Sequence, residues 1–162
     1  MGEPLLQQGK HFAIGTAALA LILIQNDFVK GIAQYLGLLA DILLYVGSVI
    51  ITIWGIAHII PAKSVVKGFG EISDDNRKLI TMEWVAEGLA LCFIGILVLL
   101  VTALVGSPDK SSALVYRISA GMLLIMAMWT SLTGARTSVI PIKICPFVKT
   151  LVAILFIVGS LI

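Results

Sequence analysis

Long uncharged apolar runs alternate with short polar segments along the chain. Gly88 to Pro108 is 21 residues without a formal charge, Ile42 to Ala62 is 21 with His58 neutral, and Ile118 to Ala135 is 18. A helix that crosses a bilayer needs about 20 mainly apolar residues. Thr150 to Ile162 is only 13, and it reaches spanning length if Lys149 snorkels to an interface. The pattern predicts four spanning helices, roughly 36–60, 77–105, 112–134 and 145–162.

The N-terminal segment is read differently. Phe12 to Asn26 is uncharged for 15 residues and follows Lys10. A basic residue before a short apolar stretch can mark a signal peptide, but Ile24-Gln25-Asn26-Asp27 is a poor cleavage site. The stretch also lacks the charged face of an interfacial helix. A short fifth span over 10–25 is therefore expected.

Turn chemistry agrees with these boundaries. Pro61 stops the helix ending at 60. Ser73-Asp74-Asp75 offers capping oxygens and negative charge at the start of the next helix. Gly106-Ser107-Pro108-Asp109 reads as a tight turn, with Ser111 or Ser112 capping the helix after it. Gly134 and Pro141 break up the last connection. Connections this short make successive helices antiparallel neighbours.

Composition narrows the class. Of 162 residues, 59% are hydrophobic and 12% charged, half the charge of an average soluble domain. That excludes a disordered chain and leaves too little polar sequence to cover a soluble surface. The expected fold is all-α, a multi-pass transmembrane helix bundle forming one integral membrane domain without a soluble domain. A net charge of +2 gives no nucleic-acid footprint.

Charge also predicts orientation. Lys10, Lys63, Lys67, Arg77, Lys78, Arg136, Lys143 and Lys149 fall on one side, against Lys30, Lys110 and Arg117 on the other. The positive-inside rule places loop 61–79 in the cytoplasm and the C-terminus on the opposite side, in an inner or plasma membrane. Trp54, Trp84 and Trp129 lie toward the cytoplasmic ends of their helices and read as an interfacial aromatic belt.

Ionisable residues at membrane depth are costly and usually face a bundle interior or a water-filled cavity. Glu83 and Glu87 are four apart and share a helix face with Ala86 and Ala90. His58 ends the preceding helix on the same side. These three are the candidates for ion or proton binding. The blander alternative pairs the carboxylates with Arg77, Lys78 or Arg136 at the interface. Asp41, Tyr45, Ser48, Thr52 and Gly55 form a hydroxyl-lined stripe, and Arg117 begins a comparable one on helix 112–134. Asp41 and Arg117 lie at similar outer depth and are expected to pair, either along a pathway or to fix helix register.

One His and two Glu match no metal-ligand signature such as HExxH, so neither a metal nor a cofactor is expected. Cys92 and Cys145 have no metal or disulfide spacing and read as small packing residues. Met122, Met126 and Met128 also read as packing. Gly68-Phe69-Gly70 lacks a Walker pattern, which rules out nucleotide binding. The basic residues of loop 61–79 can meet anionic headgroups or a cytosolic partner.

Three functions follow. An oligomeric transporter or ion- or proton-conducting protein uses the carboxylates near the cytoplasmic side. A non-catalytic assembly or accessory subunit uses the charges only as register devices. A membrane-embedded enzyme needs a nucleophile, metal or phosphate cradle that no motif supplies. The first is preferred. The expected partners are the lipid bilayer and either further copies of the chain or another membrane protein.

Overall fold

A computed structural model describes residues 3–107, 109–137 and 140–162, with side chains described from Gln25 onward. Five α-helices run in the order α1 (Glu3–Ile59), α2 (Ala62–Lys67), α3 (Asp74–Leu104), α4 (Lys110–Leu132) and α5 (Ile140–Gly159), with a 3₁₀ turn at Gly134–Arg136 before α5. No strand occurs among the described residues. Four segments are long and apolar enough to cross a membrane: Gln25–Ile59, Asp74–Leu104, Lys110–Arg136 and Ile140–Gly159. The expected span at 10–25 lies outside the residues whose side chains are described, and the expected break between it and the helix at 36–60 is absent, since α1 runs unbroken from Glu3 to Ile59.

Two compact units divide the chain after Leu38. In the first, the described side chains include the exposed Phe28 and Tyr35. The second, residues 39–162, holds the helix bundle and everything below.

Its core is a continuous apolar cluster that includes Leu44 and Ile51 of α1, Leu91 and Val98 of α3, Tyr116 and Leu123 of α4, and Val152 and Phe156 of α5. Lipid tails are as apolar as these side chains, so association relies on close packing rather than on transfer out of water. Gly55 of α1 and Gly88 of α3 provide it. A Cβ on Gly55 would lie 2.6 Å from the Gly88 carbonyl oxygen and 2.8 Å from the Cys92 nitrogen. Only a residue without a side chain permits that backbone approach. The hydroxyls of the α1 stripe are committed locally: Ser48 donates to the Leu44 carbonyl and Thr52 to the Ser48 carbonyl, both at 2.7 Å. This is the usual way a membrane helix satisfies a hydroxyl.

Helix ends follow the turn chemistry with three adjustments. Ser73 caps α3 as expected, its oxygen accepting from the Asn76 N–H at 3.3 Å. The cap of α4 is Asp109, not Ser111 or Ser112. Its Oδ1 accepts from the backbone N–H of Ser111 at 2.8 Å and of Ser112 at 3.2 Å. A carboxylate reaches both donors from the residue before the helix, and the serines then become the first-turn donors. Loop 61–79 folds its first third into α2. Finally, α5 begins five residues before the expected 145. Pro141 sits in its first turn, where the missing N–H costs no hydrogen bond; Pro146 lies inside the helix.

The α4 cap gives a pH prediction outside the membrane. Hydrogen bonds from the Ser112 and then the Ser111 backbone N–H hold the Asp109 carboxyl below its ordinary value. A lowered folded-state value means stability present above the unfolded value, near 4, and lost as pH falls through the folded one. Asp109→Asn keeps the cap but does not titrate. In detergent, the wild-type unfolding temperature should fall more steeply below about pH 4 than that of Asp109→Asn; equal slopes would refute the coupling.

Candidate functional site

The polar centre is built from helix positions of ordinary spacing. On α5 the buried residues are Ile142, Cys145, Pro146, Lys149, Val152, Ala153, Phe156 and Gly159. These steps of three and four place one face against the bundle. Cys145 and Lys149 fall on that face, one turn apart. On α1, His58 lies one turn after Trp54, and on α3, Glu87 precedes the close-packed Gly88. The three helices therefore deliver an imidazole, a carboxylate, a thiol and an ammonium to one place.

Contacts fix how these groups meet. His58 Nδ1 lies 2.8 Å from the Trp54 carbonyl oxygen. A carbonyl can only accept, so Nδ1 carries a proton, and in the neutral ring the lone pair is on Nε2. Nε2 faces Cys145 Sγ at 3.5 Å. The Trp54 indole N–H donates to the same sulfur at 3.4 Å, and Glu87 Oε1 lies 3.9 Å from it. The Trp84 indole N–H donates to the His58 carbonyl at 2.7 Å, and its ring stacks on the imidazole with centroids 5.4 Å apart. His58 is thus clamped between two tryptophans that the sequence assigns to an interfacial belt; only Trp129 is largely exposed.

Lys149 forms an ion pair with Glu87. Its side chain is fully buried, while the Glu87 side chain keeps 30% of its surface. Thr130 Oγ1 accepts a second hydrogen bond from Lys149 Nζ at 2.9 Å. The expected snorkelling of Lys149 is therefore corrected: its position on the inward face of α5 leaves it no route to the interface. Glu87 pairs with this lysine, not with Arg77, Lys78 or Arg136. Among the described residues, the other ion pair joins the exposed Lys78 and Asp75.

A cleft of about 500 Å³ lies against the pair. Glu83, Glu87, Thr130 and Lys149 line its polar part, and Trp84, Met126 and Ile142 line much of the rest. Glu83 is exposed along this cleft and belongs to no ion pair among the described residues. The two carboxylates thus share a helix face, but only Glu87 joins the buried centre.

Asp41 and Arg117 do not form the expected pair. Arg117 donates from Nε to Ser160 Oγ at 3.2 Å and from its terminal nitrogen to the Ser160 carbonyl at 3.1 Å. It ties the start of α4 to the end of α5. Asp41 Oδ1 is buried and has no hydrogen-bond partner among the described residues. The inward face of α4 is turned toward Tyr116, Ser119 and Leu123, which leaves Arg117 and Ser131 exposed. Ala120 and Ala127 of the small-residue stripe are buried with them, so the stripe packs inward in its middle while its two polar ends stay outside.

Cys145 and Lys149 are the members of this cluster missed from the sequence. The signal was present in the steps of three and four from Ile142 to Phe156. Reading Lys149 as a helix end concealed it.

Fold and centre together define a class: an all-helical bundle with four potential membrane spans and a buried Cys–His–Glu–Lys cluster at one end. Comparison with protein-family models, curated proteins and solved structures finds no match for the chain.

Proposed function

We propose that the protein is a small cation transporter of an inner or plasma membrane, working as an oligomer, with Glu87 as its cation-binding carboxylate. The single observation that carries this reading is the Lys149–Glu87 pair, its ammonium buried and its carboxylate lining an open cleft. Burying the ammonium costs several kcal/mol before its attraction to Glu87 is counted, so such a pair is weak evidence for stability. Ionisable groups placed at membrane depth instead mark ion pathways by default.

The parts take distinct roles. Glu83 stands in the cleft as an exposed negative charge that attracts cations. Glu87 is the carboxylate on which a cation is held. Lys149 is a resident positive charge that neutralises Glu87 when no other cation is present. Thr130 gives the ammonium a second acceptor when Glu87 turns to a substrate. Beyond this centre the interior is the apolar core of Leu91, Leu123, Val152 and Phe156, which closes the protomer toward its other end. Passage then requires a rearrangement of the helices or a path at the junction of several protomers. The excess of basic residues around the cleft end orients it toward the cytoplasm.

Reconstitution tests the reading. Proteoliposomes loaded with pH-sensitive and divalent-cation-sensitive dyes should show protein-dependent flux of at least one cation. Glu87→Gln should reduce that flux roughly tenfold or more, as expected when a charge-assisted contact is lost, and Cys92→Ser should leave it unchanged. Absence of flux for protons, monovalent ions and divalent ions alike would reject transport in favour of a role as an accessory subunit.

A further inference from the structure

We infer that His58 Nε2, Cys145 Sγ and a Glu87 carboxylate oxygen form a three-ligand site for a zinc-class divalent metal ion. The inference deepens the transport reading by naming the cation, and it rests on that reading only for the ion's fate, not for its binding.

Geometry is the first support. Ligand atoms from the three residues all lie within 4.8 Å of one another. A tetrahedral zinc ion with bonds of about 2.05 Å to nitrogen and about 2.3 Å to sulfur separates those two atoms by about 3.6 Å. The observed separation of His58 Nε2 and Cys145 Sγ is 3.5 Å. For oxygen and sulfur the same geometry requires about 3.6 Å, and Glu87 Oε1 lies 3.9 Å from Cys145 Sγ, a difference that a small side-chain rotation closes.

Preorganisation is the second. Metal-ligating histidines almost always donate their other ring N–H to a fixed acceptor, which sets tautomer and ring direction. The Trp54 carbonyl does this for His58 at 2.8 Å. The Trp84 ring packs on one side of the imidazole, and the Trp54 N–H points at the sulfur. Ligands held this way lose little freedom when an ion binds.

Donor chemistry selects the ion. A thiolate with an imidazole favours zinc-like and softer ions, whereas magnesium and calcium take shells of oxygen. Three protein ligands leave a fourth position open, as in zinc sites that exchange a ligand. Glu87 also lines the cleft, so the ion has a route in.

Lys149 opposes the ion directly. Its ammonium already occupies Glu87, and an incoming metal must displace it toward Thr130. The lysine therefore weakens binding and favours release, which suits a site that passes its ion on rather than one that holds it for structure.

Cobalt titration of the full chain in detergent tests this. Wild-type protein should bind one Co²⁺ with a near-ultraviolet sulfur-to-cobalt charge-transfer band, and Zn²⁺ but not Mg²⁺ should displace it. Cys145→Ser should lose the band and weaken binding roughly 100-fold, whereas Cys92→Ser should keep both. Lys149→Met should tighten binding roughly tenfold or more, because a positive charge beside the site has gone. A wild-type protein with no charge-transfer band overturns the site, as does a band that survives Cys145→Ser or binding equally well competed by Mg²⁺. If metal binding fails while flux still depends on Glu87, the site falls and the transport reading stands. If binding holds without any flux, the site is confirmed and transport is rejected.

Discussion

Glu87→Gln should lower the unfolding temperature of the detergent-solubilised protein by roughly 10 °C, and adding Lys149→Met should restore most of the loss. The substitution leaves the Lys149 ammonium inside the bundle, where its side chain has no exposed surface. What remains is the Thr130 hydroxyl at 2.9 Å and a neutral amide. Breaking a buried pair by removing one partner costs about 3–5 kcal/mol, chiefly through the charge left behind. Glu87 keeps 30% of its side-chain surface, so water screens part of the effect and the lower end of that range applies. For a chain of this size that corresponds to about 10 °C. In the double variant both charges are absent and an apolar side chain fills the space, a replacement that is often neutral or stabilising. A cycle completed with Lys149→Met alone measures the coupling. If the double variant is as unstable as Glu87→Gln, the buried ammonium is not the cause.

Gly55→Leu should be at least as damaging, and it should remove the polar centre along with the stability. The Cβ of any larger residue at 55 meets the Gly88 carbonyl oxygen at 2.6 Å and Cys92 at under 3 Å. Backbone atoms there cannot rotate away as a flexible side chain can, so α1 and α3 must separate. Overpacking of this kind costs about 1–3 kcal/mol and sometimes more. His58 lies less than one turn beyond Gly55, and Glu87 immediately precedes Gly88, so the separation also pulls apart two of the three proposed metal ligands. The expected result is a chain that elutes abnormally, or one that keeps its helix content but has altered tryptophan emission as the Trp84–His58 stack opens. Gly121→Leu is the control, because nothing lies within 4 Å of a Cβ there. Equal behaviour of the two variants would refute the close-packing account.

The proposed site and the observed packing depend on the same contact. Gly55 and Gly88 bring α1 and α3 together, and this approach sets His58 beside Glu87. Phe156 packs against Gly47 further along α5, and the same face of that helix carries Cys145 and Lys149 inward. The cluster is thus a product of helix rotation and closeness, with no segment of chain dedicated to it.

This explains what was legible in the sequence. Helix spans and ends follow from local properties: apolar length, the Ser73 cap, Pro61 after Ile59, and the turn between Val105 and Asp109. Each is a matter of neighbouring residues and backbone hydrogen bonds, which is why four spans were readable. His58 and Glu87 were also readable as candidates, because an ionisable side chain at membrane depth is expensive wherever it points.

Which groups meet was not readable in this way. His58, Glu87 and Cys145 are tens of residues apart and share no spacing motif, so no local pattern joins them. By itself the sequence determined an all-helical chain with four segments able to span a bilayer, and a short roster of costly polar residues. The tertiary structure decided that Lys149 turns inward to Glu87, that Cys145 faces His58, and that Arg117 binds Ser160 while Asp41 stays apart. The physical reason is that helix formation is satisfied within each segment, whereas a side chain's partner depends on the rotation and approach of whole helices. Those are set by where glycines let backbones touch and where large apolar side chains fill the space between.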